Sequence, residues 1–321
     1  MKFYLRHALG NVSQGNGNQG ELQLMAFDLE IAYLDLVQTA VGGGLHPTPN
    51  EPPFSREELS RARALARKVR AVFAPEVRAL KKNQLALPES AGTTLRGLLL
   101  DFQPEDVARL IRINSPTTHT LLGSQALTSL RNCARQAIWL RVPGDFMECG
   151  TWRGGACILL RAVQQAMGAG GRRRTWVADS FQGLPQPDRQ THLLDAVLHA
   201  YLQETGSFAV SLEEVRQNFA SFGLLDEGVG FLPGWFSDTL PCWQGQLALL
   251  RLDGDWYEST YTALEHLYDK VSWGGFVIID DYHPVIGAYA AVNDFRASRG
   301  ISDPMVRVDH QIHFWRKLPP T

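Results

Sequence analysis

Apolar positions recur at helical spacing through the first part of the chain and in short blocks after it, and this change of texture divides the sequence. In residues 21–42, Leu22, Leu24, Phe27, Leu29, Tyr33, Leu36, Val37 and Val41 form a wide stripe that predicts an amphipathic helix, stopped by Gly42-Gly43-Gly44. Before it, residues 10–20 (GNVSQGNGNQG) are polar and rich in Gly and Asn, the composition of a flexible tether. A link containing Pro47, Pro49, Pro52 and Pro53 leads to a second helix with a readable start. Ser55 followed by Glu58 makes a capping box, in which each side chain satisfies the other residue's backbone N–H. Leu59, Ala62, Leu65, Val69 and Val72 carry its stripe and Pro75 ends it; residues 78–140 read as further helices joined near Pro88, Pro104 and Pro116.

From Val142-Pro143-Gly144 onward, short apolar strands alternate with helices. The pattern predicts strands at 145–149, 175–178, 229–232, 247–252 and 275–279, with helices at 155–167, 211–222, 257–271 and 286–299. Two last short strands, 305–308 and 312–315, flank Asp309-His310-Gln311 and read as an antiparallel pair at the sheet edge. Alternation of this kind implies an α/β fold with a mostly parallel, doubly wound sheet. The predicted organisation is a flexible segment at 1–20, a helical N-terminal region at 21–141, and the α/β domain at 142–321.

Composition narrows the class. The chain of 321 residues is 45% hydrophobic and 20% charged, with a formal net charge of −2, so no basic field points to nucleic acid or anionic lipid. Arg172-Arg173-Arg174 follows a Gly-rich run and reads as a solvated loop. No stretch is long and apolar enough for a membrane span or a signal peptide, so the reading is of a soluble, cytoplasmic protein with no membrane partner. Cys133, Cys149, Cys157 and Cys242 form no Cys-x-x-Cys pair and complete no zinc spacing; they read as reduced thiols.

Chemistry gathers at the predicted strand ends, where open α/β sheets bind ligands. The first strand ends in Glu148-Cys149-Gly150, followed by Thr151-Trp152-Arg153-Gly154-Gly155. Glycines admit a ligand to the backbone, but Gly-x-Gly-x-x-Gly is absent, and Glu148 would repel a pyrophosphate. An acid beside glycines suits a cation such as the amino group of S-adenosylmethionine. Asp179, before Ser180 at the second strand's tip, fits ribose hydroxyls; the alternative is an acid that caps the next turn. Asp253-Gly254-Asp255 and Asp280-Asp281 close two later strands. If those strands are neighbours, four carboxylates converge, which is costly unless a cation sits among them. An all-oxygen donor set selects Mg²⁺, Mn²⁺ or Ca²⁺. A hydroxyl bound to such an ion loses its proton more readily, and a nearby carboxylate can take it. Asp253, Asp280 and Asp281 are the expected ligands and Asp255 the expected general base.

The run GDFMECGTWRGGACILLRA resembles the opening of the macrocin and mycinamicin sugar O-methyltransferases, a family that also contains the noviose 4-O-methyltransferase. VADSFQGLP, FGLLDEGVGFLPGWFSDTLP, LRLDGDWYEST and GGFVIIDDY continue the resemblance over residues 142–317, and AYLDLV and THTLLG precede it in order. The resemblance implies a Rossmann-like class I methyltransferase fold, S-adenosyl-L-methionine and Mg²⁺ (or Mn²⁺) as cofactors, a small natural-product acceptor such as a deoxysugar, and a homo-oligomer. It places the metal on Asp253, Asp280 and Asp281 and the base on Asp255. It places the nucleoside cofactor near Thr120, Glu148, Gly150, Thr151, Gly155, Asp179, Ser180, Gly234, Trp235 and Asp253. The chain departs from the family in having many more residues between AYLDLV and THTLLG, a region that forms the lid in relatives. It also lacks their basic residue after the THTLLG turn, where Ser124-Gln125-Ala126 stands.

Other residues read more plainly. His119 and His283 read as loop histidines ahead of contacts to the acceptor, Tyr257, Tyr261 and Tyr268 as core ahead of a substrate platform, and Trp235 or Phe236 either stacks on adenine or packs inside. A dehydrogenase or epimerase would share Asp179 but lacks the dinucleotide fingerprint, and a non-catalytic nucleoside-binding module would have no use for the intact carboxylate set. A non-sugar polyketide, peptide or catechol-like acceptor remains open beside the sugar.

Overall fold

The computed structural model describes residues 19–42, 54–82, 118–203, 208–283 and 285–319. Most of the expected tether, the Pro-rich link and the turns near Pro88, Pro104 and Pro116 lie outside the described residues.

Helix α1 (Gln19–Val41) is followed by α2 (Arg56–Val72), α3 (Ala74–Lys81) and α4 (Ser124–Trp139). The α/β part then runs β1 (Asp145–Cys149), α5 (Gly155–Ala166), β2 (Thr175–Asp179), α6 (Leu193–Gln203), α7 (Leu212–Ser221), β3 (Val229–Pro233), α8 (Phe236–Thr239), β4 (Leu247–Leu252), α9 (Tyr257–Leu267), β5 (Val271–Ile279), α10 (Ile286–Ser298), β6 (Val306–Arg307) and β7 (His313–Arg316). One seven-stranded sheet has the order β3-β2-β1-β4-β5-β7-β6. β1 to β5 are parallel, and β7 runs antiparallel to both β5 and β6. This is the Rossmann-like methyltransferase arrangement with its C-terminal antiparallel pair, as expected.

The burial pattern explains the layers. All six residues of β4 are buried, as a strand covered on both faces requires. On one face Phe146, Leu249 and Phe276 pack with Leu34 and Val37 of α1, Leu127 of α4 and Leu159 of α5. On the other, Met147, Leu250 and Val277 pack with Leu264 of α9 and Phe295 of α10. The N-terminal helices α1 and α4 thus share a core with the sheet. The strand order reverses between β1 and β4, the crevice where such sheets bind ligands.

Several boundaries differ from the periodicity. The helix expected through Val271 ends at Leu267 in a short 3₁₀ turn (Tyr268–Lys270), and β5 begins at Val271, four residues before the expected start. The Lys317 ammonium donates to the carbonyls of Tyr268 and Val271, both at 2.9 Å, and so satisfies the groups that a helix end leaves free. Pro75 separates two helices, because it sits in the first turn of α3, where a missing N–H costs nothing. The capping box at Ser55 and Glu58 is present. Helix α6 was not anticipated. No helix among the described residues is long and apolar enough to cross a membrane.

Candidate active site

The carboxyl ends of the parallel strands border a cavity of about 780 Å³, within the range of small-molecule sites. Left-handed backbone gathers at this rim. Trp152 (φ 46°), Phe181 (φ 56°), Asp255 (φ 56°) and Asp281 (φ 49°) follow β1, β2, β4 and β5 in turn. Each such residue costs about 1–3 kcal/mol and persists only where surrounding contacts impose it.

The loop after β1 is held by two close approaches. Gly150 has φ +85°, and a Cβ there would lie 1.8 Å from the carbonyl oxygen of Asp253, so only glycine lets the β1 loop meet the end of β4. The Asp253 N–H donates to the Cys149 carbonyl at 2.8 Å across the same junction. Gly155 donates its N–H to the His119 carbonyl at 2.9 Å, and a Cβ there would stand 2.5 Å from that oxygen. The role of Gly155 is therefore to seat residues 118–122 on the start of α5, which brings Thr120 to the cavity wall.

Asp179 braces the same loop. Its Oδ2 accepts the N–H of Thr151 at 2.7 Å and of Trp152 at 3.3 Å, and its Oδ1 accepts the N–H of Phe181 at 2.8 Å. Burial pushes its pKa up while these donors pull it down. The turn-capping alternative for Asp179 thus holds, and the carboxylate still borders the cavity. Ser180 completes the turn, donating to the Gly183 carbonyl at 2.9 Å. Gly234 (φ +137°) lies behind the wall and donates its N–H to the Asp179 carbonyl at 3.0 Å.

At the other end of the cavity, β4 and β5 are parallel neighbours, and their ends bring the carboxylates together. Asp253, Asp280 and Asp281 each offer an oxygen, and these oxygens lie within 4.8 Å of one another. Asp255 hydrogen-bonds to Asp281, and Gln311, from the β6–β7 turn, donates to Asp281 Oδ1 at 3.3 Å. Among the described residues one cation lies between them. Arg251, 2% exposed, reaches Asp253 Oδ2 at 3.0 Å and also pairs with Glu148 and Asp280. Glu148 borders the cavity, but its second oxygen accepts the Cys157 thiol at 2.8 Å, so both oxygens are already engaged.

Five carboxylates against one guanidinium leave an excess of negative charge in a buried place. Burial raises the pKa of Asp253 to about 6 against the pull of Arg251. Burial and the Asp253 charge raise Asp280 to about 8. Asp255 and Asp281 are pushed well above the usual carboxylate range, first by burial and then by their acidic neighbours. Such a group must hold protons or a cation. An all-oxygen, three-carboxylate set of this spread fits a hard divalent ion.

The remaining wall is largely apolar and aromatic, with Ser237, Glu258, Ser259 and Thr262 set among it. Trp235, Phe236, Tyr257 and Tyr261 border the cavity; this corrects the core reading of Tyr257, whereas Tyr261 also packs on the core, edge-on to Phe295. Both stand in the first turns of α9, at the rim, and stack on each other with ring centres 5.8 Å apart. Tyr268, one turn beyond that helix, does lie in the core. Leu198 and Leu202 of α6, with Phe208, add an apolar stretch to the wall, packed with Trp256 and Val285. His283 packs against Tyr282, Tyr289 and His313 rather than in the cavity. Sequence reasoning missed Arg251, Gln311 and the α6 wall. A charged residue inside the apolar run LALLRL was the available signal for Arg251.

The sequence pattern of the family Macrocin-O-methyltransferase (TylF) matches residues 81–317. An 8-demethyl-8-(2,3-dimethoxy-alpha-L-rhamnosyl)-tetracenomycin-C 4'-O-methyltransferase of Streptomyces olivaceus is 46% identical over 69% of this chain and 85% of its own. A demethyldecarbamoylnovobiocin O-methyltransferase of Streptomyces niveus is 46% identical over 62% of this chain and 76% of its own. A mycinamicin III 3''-O-methyltransferase of Micromonospora griseorubida is 44% identical over 70% and 89%. Among solved structures, the O-methyltransferase NovP superposes with a TM-score of 0.67 at 35% identity, covering 90% of this chain and all (100%) of that one.

Proposed function

This chain belongs to the macrocin-O-methyltransferase (TylF) family and is an O-methyltransferase, and we propose that it methylates a sugar hydroxyl on an apolar natural product, with S-adenosylmethionine as donor and a divalent cation, Mg²⁺ or Mn²⁺, held by Asp253, Asp280 and Asp281. The observation that carries this reading is the set of three carboxylate oxygens within 4.8 Å of one another, in the same cavity as Thr151 and Asp179. Relatives that methylate sugar-bearing antibiotics support the acceptor class.

The donor, when bound, supplies an activated methyl group on a sulfonium. A divalent cation would make the acceptor hydroxyl more acidic. Asp255, which borders the cavity beside Asp281, takes the proton as the oxygen forms its bond to the methyl carbon and the carbon–sulfur bond breaks. The loop braced by Asp179, with Gly150 and Thr151, would receive the nucleoside, and Thr120, Ser180 and Trp235 border that end of the cavity. The aromatic wall keeps water from the reacting atoms.

The wall also selects the acceptor. Arg251 is the single Lys or Arg that borders the cavity among the described residues, and it is already paired. Among the described residues no unpaired cation borders the cavity for the phosphates of a nucleoside-diphosphate sugar, whereas Leu198, Leu202 and Phe208 suit an apolar aglycone. The same wall favours a second reading, methylation of a hydroxyl on the aglycone itself. Labelled methyl transfer to a panel of glycosides, free aglycones and nucleotide sugars separates these. Transfer to glycosides supports the proposal, transfer to aglycones alone supports the second reading, and a preference for nucleotide sugars refutes both.

A further inference from the structure

Helix α6 holds a buried acid that the chemistry above does not use. Asp195 is 3% exposed. Its Oδ2 accepts the N–H of Tyr257, the first residue of α9, at 3.0 Å, and the carboxylate also accepts the N–H of Gly287, in the first turn of α10. These two helices leave the two acidic loops: α9 follows Asp253-Gly254-Asp255-Trp256, and α10 begins five residues after Asp281. One carboxylate therefore caps both helices, where free N–H groups and the positive ends of the helix dipoles favour an anion. The fit is close. A Cβ at Gly287 would stand 2.2 Å from Asp195 Oδ2, so α10 starts this near only because residue 287 is glycine.

The other side of α6 rests on the N-terminal helices. Ala62, Ala66 and Val69 of α2, with Phe73, pack against Ala196, Val197 and Tyr201 of α6 and against Ile286, the first residue of α10. Arg189, just before α6, donates to Glu76 at 2.8 Å and to the Val72 carbonyl at 3.0 Å, with its guanidinium over the Phe73 ring. Helix α2 lies before the range that the family pattern matches, residues 81–317.

We propose that Asp195 is a positioning residue: by joining the starts of α9 and α10 it sets the spacing of the Asp253–Asp255 and Asp280–Asp281 loops, and α2 and α3 brace α6 so that it stays seated. This rests on the reading of those carboxylates as a cation site. A carboxylate two steps removed from the ion tunes affinity by orienting the groups that hold it, as outer partners of metal ligands do. Among the described residues, the hydrogen-bond partners of Asp195 are on α9 and α10, not on the β1 and β2 loops.

The test compares wild type with Asp195→Asn, which keeps the side-chain shape, and with Gly287→Ala, which leaves Asp195 in place but puts a methyl against it. Mn²⁺ affinity, S-adenosylhomocysteine affinity and hydrogen exchange at the Tyr257 and Gly287 amides are measured on each. The expected result is an Mn²⁺ affinity lower by about tenfold, loss of protection at the amide of Tyr257 or of residue 287, and unchanged S-adenosylhomocysteine affinity. Wild-type Mn²⁺ affinity in both variants overturns the proposal, as does an equal fall in affinity for both ligands, which would signal general loosening. A wild-type protein that binds no Mn²⁺ refutes the cation reading alone. Exchange then decides the coupling, since wild-type protection at both amides in Asp195→Asn, where one of the two acceptor oxygens is gone, overturns it.

Discussion

Replacing Arg251 by methionine removes the cation that, among the described residues, lies between Glu148, Asp253 and Asp280. Methionine keeps much of the volume, so the loss is electrostatic. Removing one partner of a buried ion pair costs about 3–5 kcal/mol, because the remaining charges stay buried and uncompensated. At about 2 °C per kcal/mol for a chain of this length, the melting temperature should fall by roughly 6–10 °C in chelator. The fall should depend on pH. Carboxylates with raised folded-state pKa values favour the folded state below their unfolded pKa and lose that contribution as pH rises through the folded values, here about 6 for Asp253 and about 8 for Asp280. Without Arg251 these values rise further, so protons replace the missing cation in acid. Differential scanning fluorimetry should therefore show a smaller deficit near about pH 5 than near about pH 8. A deficit below about 2 °C, or one equal at both pH values, would refute the view that Arg251 offsets a crowded anionic cluster.

Asp255→Asn should lower kcat by about a hundredfold to ten-thousandfold, the range for loss of a positioned base, while calorimetry finds S-adenosylhomocysteine binding unchanged; a loss in KM alone would point to acceptor positioning instead. Gly150→Ala places a methyl where the Asp253 carbonyl now lies, and thermal melts should show a loss of more than about 1 kcal/mol together with weaker cofactor binding. Ser55→Ala removes the capping box at the start of α2 and should cost about 1 kcal/mol by denaturant titration with catalytic rates preserved.

The acidic cluster was legible because strand order makes β4 and β5 neighbours and each ends in aspartates, so adjacency alone predicts convergence. The glycine-rich turn after β1 was legible for a similar reason, although Gly155 turned out to seat residue 119 and Gly234 to pin β2 to β3. Helix α6 escaped notice although Leu194, Val197, Leu198 and Tyr201 recur at helical spacing. Its packing partner α2 lies more than a hundred residues earlier in the chain, and burial of Asp195 arises only when the starts of α9 and α10 meet it. Trp152 and Phe181 in left-handed backbone were equally hidden, since bulky residues disfavour positive φ and only tertiary contacts impose it. Arg251 was visible in the sequence, yet its three carboxylate partners come from β1, the end of β4 and the end of β5, a grouping that exists only in the folded sheet.

The most direct test of the central claim is the rate of labelled methyl transfer from S-adenosylmethionine to a glycoside acceptor, with Mg²⁺ and with chelator, in wild type and in Asp253→Ala. The account predicts transfer that stops in chelator, returns with Mg²⁺ or Mn²⁺, and is lost in Asp253→Ala under either condition. Transfer by the wild type that proceeds at the same rate in chelator would contradict it.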